Sequence, residues 1–268
     1  MKRFAFLSGL PRSGSTLIAS LLNQRSDVHV TGLSDACEVL RYAAVVMPEQ
    51  ENYRAGETGQ SKALLRNALH AIYDEVDAEL VIDKSRMWGA PFFRRVLQEV
   101  TNEPIRIISP VRPLPEIVAS FIRMCRRSPD NYVDKAMLND DFYPYWRKHI
   151  DDARTDWLLL PNGHIGGAML SLSGAFNPET QSEYHLITYD RLCSDTELVL
   201  RGIEGFLSLA PHEYDLEKIA GKAHNDVDAY GIPDMHKVRT TIGRLDPDPK
   251  DVLSAYAVAR CELEDFWT

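Results

Sequence analysis

The segment that most constrains this chain is Gly9-Leu10-Pro11-Arg12-Ser13-Gly14-Ser15-Thr16. It joins an apolar run, Phe4 to Ser8, to the helically periodic stretch Thr16-Leu17-Ile18-Ala19-Ser20-Leu21-Leu22. A strand, a tight loop and a helix are therefore expected in that order. Gly9 and Gly14 permit tight turns and close backbone approach, while Ser13, Gly14, Ser15 and Thr16 present N–H groups where the helix begins, which makes an anion site. Arg12 adds a planar cation, and Ser15 and Thr16 add hydroxyl donors, so one phosphate can accept both backbone and charge-assisted bonds. The functionless alternative is a serine-glycine turn with a surface arginine. The loop lacks the Gly-Lys-Ser/Thr ending whose lysine reaches β/γ-phosphates, which disfavours a nucleoside triphosphatase.

The same alternation recurs along the chain. Leu80-Val81-Ile82 before Asp83, Ile105 to Val111 before Arg112, and His185-Leu186-Ile187-Thr188 before Tyr189 are short β-branched runs of the kind buried on both faces of a parallel sheet. Helical patterns fill the intervals at 62–73, 91–100, 115–126, 197–207 and 249–266. The expected fold is α/β: a P-loop-type, doubly wound three-layer sandwich with a central parallel sheet. Ligands of such sheets bind beyond the carboxyl ends of the strands, where Asp83-Lys84, Arg112 and Tyr189 fall. The stretch 131–177, with Phe142-Tyr143-Pro144-Tyr145-Trp146 and Gly166-Gly167-Ala168, breaks the rhythm and reads as a helical insertion covering the acceptor site. With no repeat or linker composition, 1–268 reads as a single domain.

Composition narrows the partners. A net charge of −9 argues against nucleic-acid or anionic-membrane binding, so an anionic cosubstrate needs a locally positive pocket. The opening apolar run is too short for a signal peptide, and no stretch approaches the ~18 apolar residues of a membrane helix. A soluble, cytoplasmic protein is expected. Cys37, Cys125, Cys193 and Cys261 are widely spaced, which fits reduced, buried thiols.

Pro11 to Thr16 after a strand resembles the 5′-phosphosulfate loop of sulfotransferases, Pro-Lys/Arg-Ser-Gly-Thr/Ser-Thr, with the arginine favoured in the tyrosylprotein and bacterial branches. Val111-Arg112-Pro113-Leu114-Pro115-Glu116-Ile117-Val118-Ala119-Ser120 resembles the family's 3′-phosphate motif, which assigns Arg112 and Ser120. Each alone fits an ordinary surface arginine or helix serine. Val81-Ile82-Asp83-Lys84-Ser85-Arg86 is similar to the family's donor-orienting segment, with Lys84 beside the phosphosulfate bridge or, blandly, a solvated strand-end lysine. Leu186-Ile187-Thr188-Tyr189-Asp190-Arg191-Leu192 resembles a late Tyr-Glu-x-Leu segment, so Tyr189 supports either the nucleotide or the sheet. Arg239 and Arg244 in the tail are weaker candidates for 3′-phosphate cations.

Arg86 stands where animal cytosolic members carry a histidine base, so the base must lie elsewhere. The tyrosylprotein branch uses a glutamate after its second strand, and the matching stretch, Thr31 to Glu38, offers Asp35 first and Glu38 second. Asp35 equally suits a helix start. His29, His164, His224 and His236 remain as further base candidates, but lone histidines without a recognisable partner are more often surface or packed residues, and none has metal spacing. The resemblance implies transfer of a sulfuryl group from 3′-phosphoadenosine-5′-phosphosulfate (PAPS) to a hydroxyl of an unidentified glycan or small-molecule acceptor. The attack is in-line and assisted by a carboxylate base, and no metal takes part. The rival readings are an atypical P-loop kinase and a catalytically silent nucleotide-binding protein.

Overall fold

The computed structural model describes residues 2–56, 59–101, 103–138, 149–220, 226–238, 240–244 and 246–267. Five strands, β1 (Arg3–Leu7), β2 (Val28–Val30), β3 (Leu80–Lys84), β4 (Ile107–Val111) and β5 (Tyr184–Thr188), pair in parallel in the order β2-β3-β1-β4-β5. Around them run α1 (Ser15–Leu22), α2 (Ala36–Arg41), α3 (Glu51–Ala55), α4 (Gly59–Ile72), α5 (Pro91–Val100), α6 (Leu114–Arg127), α7 (Tyr132–Leu138), α8 (Ile150–Leu159) and α9 (Gly166–Leu172). After β5 follow α10 (Tyr189–Ser194), α11 (Thr196–Leu207), α12 (Asp226–Tyr230) and α13 (Ala255–Glu262).

The strands are nearly all apolar because helices cover both faces of the sheet. Side-chain alternation sends Ala5 and Leu7 of β1, with Leu80 and Ile82 of β3, against Ile18, Leu21 and Leu22 of α1 and Leu200, Ile203 and Leu207 of α11. Phe6 and Val81 face the opposite layer, where α5 contributes Phe93, Val96, Leu97 and Val100. That spacing, i, i+3, i+4, i+7, is one stripe of a helix. In α6 the stripe Leu114, Ile117, Val118, Phe121, Ile122 and Cys125 does the same. Each fully buried aliphatic or aromatic side chain in these layers contributes roughly 1.5–3 kcal/mol.

The three-layer α/β sandwich thus follows the sequence pattern, with two departures. β2 is only three residues long with polar His29 at its centre, too brief to register as an apolar run. The periodic stretch 249–266 is not one helix: a 3-10 turn covers Pro249–Asp251, and α13 starts only after Ser254, whose hydroxyl accepts from the Ala257 N–H. An N-cap so formed sets a helix start that apolar spacing alone does not mark. The stretch 131–177 carries α7, α8, α9 and a 3-10 turn at Ser173–Phe176, while its aromatic run at 142–146 lies outside the described residues.

Candidate active site

Strand register decides where the polar residues meet. Because all five strands run parallel, their carboxyl ends share one edge, and β1 sits between β3 and β4 where the strand order reverses. Leu7 pairs with Lys84, so Lys84 flanks the loop leaving β1. Val111 pairs with Thr188, so the following residues, Arg112 and Tyr189, also meet. The Arg112 guanidinium carbon lies 4.4 Å from the Tyr189 ring centroid.

The loop is built on two left-handed residues. Gly14, φ 91°, caps α1, and a Cβ there would fall 2.4 Å from Leu192 Cδ2 and 3.3 Å from the Tyr189 ring, so glycine is required. Arg12 adopts φ 62°, a conformation that costs a non-glycine residue about 1–3 kcal/mol and persists only when surroundings enforce it. The enforcing contacts are its Nε to Ser120 Oγ at 3.2 Å, its Nη1 to the Met235 carbonyl at 2.6 Å, and its own carbonyl accepting from Arg112 Nη1 at 3.1 Å. The first turn of α1, Ser15 onward, then presents amides that have no intrahelical acceptor.

Lys84 Nζ donates to Thr16 Oγ1 at 3.2 Å, which ties β3 to the loop. Burial pushes its ammonium down to about 8, opposed by the charge of Asp226. Beneath it Asp83 is fully buried and accepts from Ser34 Oγ at 2.5 Å, Trp88 Nε1 at 2.6 Å and the Tyr73 hydroxyl. Burial raises the Asp83 pKa and these donors partly offset it. The network fixes the end of β3 and hence the direction in which Lys84 leaves it.

Arg112 is buried and held by carboxylates: Nε meets Glu116 at 2.9 Å and Nη2 meets Asp246 at 2.8 Å. Arg244 pairs with Glu116 and, at 2.6 Å, with Asp190, and Arg123 reaches Asp246 at 3.6 Å. Trp267 Nε1 donates to the Arg112 carbonyl at 2.9 Å, so the chain's last described residue braces this corner.

Between these groups lies a cavity of about 430 Å³. Of the residues expected to bind a donor, Pro11, Arg12, Gly14, Ser15, Thr16, Arg112 and Tyr189 line it, together with Lys84. Ser13 is fully buried behind the loop, and Ser120 touches Arg12 from outside the walls. Arg239 lies outside the described residues. Of the two carboxylates expected to serve as base, Glu38 lines the cavity but is exposed and paired with Arg41 at 2.8 Å. Asp35 is exposed at the start of α2 and is not among the residues lining the cavity. Ser34 Oγ, not Asp35, accepts the Ala36 N–H.

The wall also holds Arg86 and two of the histidines named as further base candidates, His164 and His236. Arg86 bonds His164 Nε2, and burial with the neighbouring charges of Arg86 and His236 holds His164 well below the usual histidine range. Phe121 and Tyr132 pack on the His164 ring. His236 Nδ1 lies 2.6 Å from Asp226 Oδ1, giving this histidine a partner. The two sit ten positions apart on either side of a chain reversal at Gly231, so periodicity gave no sign of the pair. Among the described residues no cluster of metal-ligating side chains occurs, and no helix is long and apolar enough to cross a membrane.

The sequence model described as "Sulfotransferase family" matches residues 5–213. No curated protein sequence matches the chain significantly. Among solved structures, the sulfotransferase domain of the Synechococcus PCC 7002 olefin synthase is similar at TM-score 0.54 and 18% identity, covering 98% of this chain and 95% of that one. The sulfotransferase domain of the curacin biosynthetic pathway gives TM-score 0.56 at 14% identity, covering 98% and 97%. Mouse sulfotransferase SULT7A1, solved in complex with PAP, gives TM-score 0.52 at 14% identity, covering 98% and 82%.

Proposed function

The chain belongs to the sulfotransferase family, and we propose that it moves a sulfuryl group from PAPS to a hydroxyl of a glycan or small-molecule acceptor, releasing 3′,5′-bisphosphoadenosine (PAP). The observation that carries this reading is the convergence of Arg12, Thr16, Lys84 and Arg112, from three strand ends, on one cavity. A neighbour of the same fold is complexed with PAP. The arginine in the loop suits the bacterial and tyrosylprotein-like branch.

In this reading the first-turn amides of α1, Ser15 and Thr16 hold the 5′-phosphosulfate, with Arg12 leaving the Met235 carbonyl for a phosphate oxygen. Lys84 neutralises charge that develops on the bridging oxygen as sulfur departs. Arg112, with Ser120 behind Arg12, serves the 3′-phosphate, which exchanges with the carboxylates now on the guanidinium. Tyr189 supports Arg112 from below. Acceptor oxygen, sulfur and leaving oxygen lie in line, so rate rests on positioning and preorganised cations, and the donor has no β/γ-phosphate pair that needs a metal. His164, from the stretch 131–177, lines the cavity at what we take to be the acceptor end. Four free cysteines fit a reducing, cytoplasmic setting.

A thermal-shift screen of PAP against ATP and AMP tests the assignment. A ligand at a hundred times its Kd stabilises by about 2.7 kcal/mol, enough to move Tm by several degrees. PAP is expected to stabilise most; stabilisation by ATP alone, or by none of the three, overturns the donor assignment.

A further inference from the structure

We infer that Asp226 and His236 form the acceptor-activating pair of this site, with His236 the general base and Asp226 the carboxylate that positions it. The inference rests on the donor reading above. Asp226 is buried and meets His236 with both oxygens: Oδ2 accepts the backbone N–H at 2.8 Å and Oδ1 meets Nδ1 at 2.6 Å. Holding main chain and ring at once fixes the ring's orientation. A carboxylate on Nδ1 keeps the proton there and leaves the basic lone pair on Nε2, the tautomer a base requires.

The backbone brings the pair together through Gly231, which follows α12 at φ 62° and approaches Asp130 so closely that a Cβ would lie 2.2 Å from its carbonyl oxygen. The returning chain runs beside the donor loop, where Met235, the residue before His236, accepts from Arg12 Nη1. His236, Thr16 and Lys84 line the same cavity, and Asp226 is the charge that acts on Lys84. Base, loop and leaving-group cation thus surround one space. Of the other candidates, Glu38 is paired with Arg41, His164 is bonded to Arg86, and Asp35 does not line the cavity. Among the described residues, the groups around the His236 ring include Asp226 on Nδ1, Tyr230 at 5.4 Å, and His164 with Arg86 behind it, with Lys84 beyond the carboxylate.

The step balances as follows. The acceptor O–H gives its proton to Nε2 while its oxygen forms the new O–S bond. The bond from sulfur to the bridging phosphate oxygen breaks, and its electron pair remains on PAP beside Lys84. The imidazolium, stabilised by Asp226, then releases its proton to solvent.

The test compares wild type, His236→Gln and Asp226→Asn in PAP binding by calorimetry. Release of label from sulfur-labelled PAPS to umbelliferone and to water is also followed, from about pH 5 to about pH 9. Both variants are expected to bind PAP within about threefold of wild type, which also shows that they fold. His236→Gln should lose ~10²–10⁴-fold in turnover together with the acid limb of the rate profile. Asp226→Asn should lose less and move that limb to lower pH, since the carboxylate that favours the imidazolium is gone; a merely structural role would not move it. Turnover within about threefold of wild type with the limb in place overturns the inference. So does loss of the limb in Glu38→Gln instead, or a wild type that binds PAP but releases no label above the enzyme-free rate. A wild type that does not bind PAP overturns the donor reading itself, and this inference with it.

Discussion

The two ends of the cavity are both cationic but differ in what their cations hold. At the loop end Lys84 donates to a hydroxyl, Thr16 Oγ1, and Arg12 donates to Ser120 Oγ and the Met235 carbonyl. At the far end Arg112 is held by two carboxylates, Glu116 and Asp246, and Arg244 by Glu116 and Asp190. A phosphate entering the loop end replaces uncharged acceptors of these cations, a hydroxyl and a carbonyl, with a charged one. One entering at Arg112 replaces a singly charged carboxylate with a phosphate of nearly two charges and three acceptor oxygens. The loop end should therefore supply affinity and rate, and the Arg112 end discrimination, since a ligand without a second phosphate leaves the carboxylates in place.

Removing the loop-end cation is the strongest way to break this contrast: Lys84→Met should lower kcat by ~10²–10³-fold in the labelled-donor assay, and a loss below tenfold would take Lys84 out of the reaction. The next effect is in pH. Lys84 is charged below about 8 in the folded protein, against 10.5 in a model peptide. PAP affinity should fall by up to ~tenfold per unit as pH rises beyond that value, and the slope should vanish in Lys84→Met, as measured by calorimetry. For folding the sign is opposite. Between those two values the unfolded chain holds a proton that the folded one lacks, so this group adds stability as pH rises through that window. Smaller still, Asp246→Asn weakens the competitor for Arg112 and should tighten PAP several-fold, about 1 kcal/mol, while leaving AMP unchanged. Glu38→Gln removes an exposed ion pair and should shift stability by less than about 0.5 kcal/mol in urea melts.

Much of the loop end was legible in the sequence. A strand, a glycine turn and a periodic helix announced β1, the loop and α1, and the short apolar runs marked the strands that deliver Lys84, Arg112 and Tyr189. These features are local, and parallel topology places strand ends together without further information. The far end was legible only in part. The Arg112–Glu116 pair follows from helical spacing, but Asp246 comes from 134 positions away and Ser120 reaches Arg12 across 108. Asp226 and His236 meet because Gly231 reverses the chain, a fact of backbone conformation with no periodic signature. His236 was visible as a lone histidine; its partner was not.

The most direct measurement is calorimetric binding of PAP and AMP to wild type and Arg112→Ala. If the loop holds the 5′-phosphate and Arg112 reads the 3′-phosphate, wild type should prefer PAP by ~10–100-fold, the worth of a charged hydrogen-bonded contact. That preference should collapse in Arg112→Ala, with AMP affinity little changed. Equal binding of PAP and AMP to wild type, or a preference that survives loss of Arg112, contradicts it.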